Sequence, residues 1–228
     1  MVNETLAQYS TFMVYKEFAS PPVLRTILRG ALSGYLDARS RAQLPEVPVL
    51  YTDEGQGHIA YNKAALALFY LQELLGSDRL HVALRNYLDK YALQPPPFPT
   101  SRDLVNEIRA VAGPEYESLI TDLFEKIMFY EVAVTRVSAV PVNDGYEVTL
   151  EFNARQFEAD GLGNEQEVPM GVWLDVVVFP ESAEPVVELV PLYQSRHFIR
   201  TGDATLTVPV SDSPGAAGID PFHHMIDR

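Results

Sequence analysis

"EVAVTRVSAVPVNDGYEVTLEFNARQF", residues 131–157, is where the chain changes its period. Apolar and polar residues alternate up to Val142, Asn143-Asp144-Gly145 supplies hairpin-turn chemistry, and alternation resumes from Tyr146. Successive side chains of a strand point to opposite faces, so a period of two predicts an antiparallel hairpin with one buried face. "VPMGVWLDVVVF" (168–179) and "TLTVPV" (205–210) continue in the same manner, with turn residues between them. Trp173, inside an alternating stretch, reads as core of the sheets.

Upstream the period is different. In "SDRLHVALRNYLDKY" (77–91) the apolar residues Leu80, Ala83, Leu84, Tyr87, Leu88 and Tyr91 fall on one stripe of a helix. Gly76 closes the preceding helix and Ser77 is a candidate cap. "TSRDLVNEIRAVAG" (100–113) repeats that logic, with Thr100 or Ser101 as cap and Gly113 as stop. "YESLITDLFEKIMFY" (116–130) is a further helix. "YNKAALALFYLQELLG" (61–76), apolar nearly all round, belongs in a helical core. "QPPPFP" (94–99) is a stiff connector, since proline fixes φ and lacks an amide hydrogen. Helices followed by strands predict an α+β, multidomain chain: a helical domain over 1–130 and a small antiparallel β-sandwich over 131–228.

Composition narrows the function. With 47% apolar residues the chain is globular, and 31 acidic against 17 basic residues give a net charge of −14. That charge repels phosphate backbones and anionic lipid, so no nucleic-acid partner is expected. The absence of cysteine excludes disulfides and thiolate metal sites. No basic stretch followed by an apolar one opens the chain, so no signal peptide is read there. The longest apolar run, "AALALFYL" (64–71), is far too short for a bilayer span, and the chain as given reads as soluble.

Taken by themselves, the chemistry-bearing residues read blandly. Glu4 lies on the polar side of a first helical turn, where a carboxylate complements the helix dipole. Tyr61 opens the buried helix. Asp53-Glu54 and Glu165/Glu167 read as loop charges. "DEGQGH" (53–58) is either a flexible cleft wall or an ordinary loop. "GLGNE" (161–165) lacks the strand-to-helix junction of a phosphate loop. Arg196, His197 and Arg200 fit either a substrate carboxylate or, more simply, a solvated strand edge.

Larger stretches change the balance. "NETLAQYS" (3–10), "YNKA" (61–64), "QPPPFPTSRDL" (94–104) and the closing "AGIDPFHHMIDR" (217–228) together resemble alanyl aminopeptidase-like zinc metallopeptidases, the gluzincins. The likeness extends to the subgroup fused to an ABC-transporter-like permease. In that family an HExxH helix supplies two histidines and a general base, and a later helix supplies a glutamate from an Asn-Glu pair. The resemblance implies that Glu4, in Asn3-Glu4, is the zinc-binding carboxylate. It also implies that Tyr61, in a Tyr-x-Lys-Gly/Ala pattern, donates to the oxyanion of the tetrahedral intermediate. A neutral phenol aimed at developing charge favours the transition state over the ground state.

No HExxH is present, and none of the five histidines begins one. His223-His224 are adjacent, so their side chains diverge and chelate poorly. The chain is therefore expected to start inside the peptidase domain, to be inactive alone, and to hold no stable zinc. The intact parent would bind zinc, cleave N-terminal residues from peptide substrates and be associated with a bacterial inner membrane. Apolar surface left by the missing half is expected to drive self-association through the 1–20 helix. The rival readings are a non-catalytic docking or regulatory module of a transporter-associated protein, and an unrelated α+β domain. The last requires Glu4 and Tyr61 to lie far apart.

Overall fold

Helix α3 (Ala64–Leu75) is the hub of the helical part: Ala64 to Gln72 and Leu75 are all buried. A computed structural model describes residues 2–53, 55–182 and 190–228. Around α3 pack α1 (Val2–Phe18), α2 (Pro21–Arg41), α4 (Ser77–Tyr91) and α6 (Glu117–Phe124), with α5 (Ser101–Ala112) against α4 and α6. An apolar surface with no polar stripe is stable only when covered on every side, and this arrangement provides that cover.

The caps divide the expectations. Thr100 forms a capping box with Asp103, whose carboxylate accepts the Thr100 N–H at 2.7 Å. Ser77 is not a cap: Gly76, at φ 86°, takes that position and no side chain bonds the helix end. The helix expected to run to Tyr130 ends at Phe124, and strand β1 (Ile127–Val142) begins shortly after it. Ile127 to Tyr130 are all buried, and a continuous apolar run carries no period that separates a helix from a strand buried on both faces.

β1 pairs antiparallel with β2 (Gly145–Ala159), with Val142 opposite Gly145 across the expected turn. The far edge of β2 pairs with β3 (Glu165–Val168) and β6 (Gly202–Val210). The second sheet has the order β5 (Tyr193–Arg200), β4 (Gly171–Pro180), β7 (Pro214–Ile219). Both sheets are antiparallel and meet through Val148, Leu150, Val176, Val178, Val208 and Val210, which makes the α+β fold with its sandwich. Trp173 is not in that core. It lies opposite Phe198 and is 47% exposed, on the face of β4 away from Val172, Leu174 and Val176; further along its own face Val177 and Phe179 are buried, so that face is open only at the start of the strand. Glu165 and Glu167 lie on a strand rather than a loop, ion-paired with Arg228 at 2.6 Å and Arg155 at 2.7 Å. Glu54 lies outside the described residues.

The C-terminal tail ties helices to sheets. Met225 and Ile226 are buried in the core shared by α3, β1 and β4, and Asp227 bridges to Tyr130. The Asp220 carboxylate, buried, accepts the N–H groups of His224 and Met225, each at 3.0 Å. No helix among the described residues is long and apolar enough to cross a membrane.

Candidate functional site

Before α3 the backbone widens into a π-helical turn, His58–Lys63. Such turns are uncommon and re-aim the side chains they carry. Tyr61 on this turn is 49% exposed, whereas Ile59, Ala60 and Lys63 around it are buried. A tyrosine that merely closed a helix start by packing would be covered. This ring is presented to solvent.

The first turn of α1 lies against this turn. The hydroxyl of Thr5, itself buried, donates to the carbonyl of Ala60 at 2.8 Å. Glu4 and Tyr61 are therefore each one residue away from the same hydrogen bond. Glu4 is half-buried. Further along the two helices, Tyr9 bonds the side chain of Gln72 and Lys16 pairs with Glu73, so the alignment of α1 on α3 is fixed at three levels.

Lys63 holds the π-helical turn from beneath. Its side chain is 2% exposed, and its ammonium donates to Glu46 Oε1 at 2.8 Å. The same oxygen accepts the Tyr35 hydroxyl at 2.6 Å, and Arg39 Nε donates to Glu46 Oε2 at 2.7 Å. Burial alone would raise the Glu46 pKa, but the Lys63 charge and the three donors outweigh it and hold the carboxyl below its ordinary range. Burial pushes Lys63 down from the usual lysine value, against the pull of Glu46. The cations are shared with aromatic faces: Arg39 lies 4.3 Å and Lys63 5.1 Å from the centre of the Phe129 ring on β1. His58 stacks on Tyr35 with centroids 6.1 Å apart, and burial lowers its pKa.

Glu46 is the residue that pattern reading missed. Its backbone is pinned from the sheet side, its N–H donating to the Gly161 carbonyl at 3.0 Å. Gly161 has φ +79°, and a Cβ there would collide with the Glu46 carbonyl, so "GLGNE" serves as a tight turn closing on this cluster. A signal for Glu46 did exist. A lysine inside an otherwise apolar helix requires a buried anion somewhere in the chain.

The zinc implied by the motif resemblance calls for a particular donor set. A catalytic zinc needs three protein ligands and an open position. Among the described residues no group of three or more His, Cys, Asp or Glu is placed to hold a metal ion, so Glu4 and its described neighbours do not by themselves make such a donor set. His223 and His224 diverge as expected. The His224 ring faces Asp175 at 3.8 Å, while His223 Nε2 is buried with no hydrogen-bond partner among the described residues. Arg196, one of the three residues read as a solvated edge, instead pairs with Asp175 at 3.4 Å.

No protein-family model matches this chain, and no curated protein sequence matches it. Among solved structures it is similar to that described as "Crystal structure of Legionella pneumophila aminopeptidase A in complex with aspartic acid", at 14% identity and a TM-score of 0.49 over 92% of this chain. The chain spans 22% of the length of that protein.

Proposed function

We propose that this chain is the C-terminal part of a zinc-dependent aminopeptidase-like protein that removes N-terminal residues from peptides. The two histidines and the general base would come from residues outside this sequence. Glu4 would be the carboxylate ligand to zinc, which when bound polarises the scissile carbonyl and acidifies water. Tyr61 would donate its phenolic hydrogen to the carbonyl oxygen as that oxygen gains charge.

The observation that carries this reading is the Thr5–Ala60 hydrogen bond, which places the Asn3-Glu4 turn beside the turn presenting Tyr61. The unrelated-domain alternative expects Glu4 and Tyr61 to lie far apart. Support also comes from the exposure of Tyr61, since a donor to substrate must be reachable. The buried Lys63–Glu46 pair gives Tyr61 a rigid base, and rigidity is what an oxyanion donor needs.

The test uses the longer gene product, beginning upstream of an HExxH. Purified after dialysis, it is expected to hold one zinc per chain and to release the N-terminal residue of a chromogenic peptide. Glu4→Ala should remove the zinc. Tyr61→Phe should retain zinc and reduce kcat about 10²-fold with little change in KM, as loss of one oxyanion donor does. Zinc retained at full stoichiometry by Glu4→Ala, or unchanged kcat in Tyr61→Phe, would overturn the assignment. A degenerate motif upstream, with no zinc, would favour the docking-module reading.

A further inference from the structure

A cleft of about 310 Å³ opens away from Tyr61, where α1, α2 and α3 meet β5 and the C-terminal tail. Leu24, Leu28 and Phe222 give it apolar walls, and Lys16, Arg25 and Glu73 give it polar edges. That volume is at the small end of ligand pockets, enough for a compact molecule and too little for a folded segment.

Its charges do not balance. Lys16 is neutralised by Glu73, which also faces Arg196 at 3.8 Å. Arg25 has no such partner: its Nε donates to the Pro221 carbonyl at 2.6 Å, and among the described residues no carboxylate lies within ion-pair reach of it. Burial, and after it the like charge of Arg29, lower its pKa. His223, whose ring also feels Arg25 and Arg29, carries the buried nitrogen that has no partner among the described residues. Burial keeps His224, on the cleft wall, from protonating readily. Among the described residues the uncompensated charge of the cleft is thus one half-buried guanidinium.

A guanidinium has five N–H donors in a planar fork, and Pro221 uses one of them. The rest match the two oxygens of a carboxylate, and a partly buried setting strengthens such a bond. We propose that this cleft binds a small monocarboxylate carrying an apolar group. Its carboxylate lies on Arg25 and its hydrocarbon against Leu24, Leu28 and Phe222. This inference needs no metal and does not rest on the peptidase reading.

Titration of the chain with 4-methylpentanoate, followed by calorimetry and ligand-observed NMR, should show saturable binding. The isosteric amide, 4-methylpentanamide, should bind at least about tenfold more weakly, because a charge-assisted bond is lost. Arg25→Gln should weaken the carboxylate to the level of the amide and leave the amide unchanged, which distinguishes loss of a contact from loss of fold. Leu24→Trp should block both. Equal binding of acid and amide, competition by inorganic phosphate at equal concentration, or no saturable binding at millimolar acid would each overturn the proposal.

Discussion

Glu46→Leu is expected to cost about 3–5 kcal/mol of stability at pH 7, because it leaves a buried charge without its partner. Lys63 is 2% exposed and cannot turn its ammonium to water, and Tyr35 and Arg39 lose their acceptor at the same time. The pH dependence separates this from ordinary overpacking. In the variant, burial lowers the Lys63 pKa with no carboxylate to oppose it, so the unfolded chain binds more protons than the native one. Stability then rises with pH from the lowered native pKa up to the ordinary lysine range. Wild type behaves differently in acid. Glu46, held below its usual range, contributes stability that is present above the ordinary carboxyl pKa and lost as pH falls through the native one. Adding Lys63→Met to Glu46→Leu should recover a large part of the loss, since an apolar pair replaces a broken ionic one. Urea denaturation of the two single variants and the double variant measures this. A single variant within about 1 kcal/mol of wild type would show that the cluster is not the anchor of the π-helical turn.

This cluster also marks the limit of what the sequence makes legible. The 131–157 hairpin is visible because its information is local: alternation and an Asn-Asp-Gly turn lie within one stretch, and the register follows from them as far as the irregularity between Val134 and Arg136. The burial of α3 is equally local, since a helix apolar all round has no other destination. Period alone did not decide where α6 ends, because "IMFY" is apolar at every position. Nor did it decide the face of Trp173, because alternation states that neighbours differ and not which of them is inside. Glu46 is drawn together with residues 35, 39 and 63 by tertiary packing, and no spacing rule connects those positions. Of the candidate site, Glu4 and Tyr61 are legible only through motif resemblance. The contact between their neighbours Thr5 and Ala60 depends on how α1 docks, which is again tertiary.

The second large effect is expected at the tail, and its sign is opposite to the usual acid denaturation. Burial raises the Asp220 pKa from 3.8 to about 7, with Asp227 and Asp175 adding to the rise and the two N–H donors opposing it. Between those values the native chain holds a proton that the unfolded chain has released. The contribution of Asp220 is therefore fully present below about pH 4 and is lost as pH rises through about 7, ~4 kcal/mol in all. Asp227, raised to about 6 mainly by burial, acts in the same direction. Other carboxylates, Glu46 among them, act the other way, so the difference between wild type and Asp220→Asn isolates the effect. Asparagine keeps one acceptor and turns an amide N–H₂ toward the other backbone donor, which costs about 1–3 kcal/mol at every pH. The variant should thus be clearly weaker than wild type at pH 4, and the gap should close or reverse by pH 8. A gap that stayed constant between pH 4 and pH 8 would mean that Asp220 is ionised throughout. In that case the two N–H bonds would outweigh burial, and the tail that walls the cleft would not loosen with rising pH.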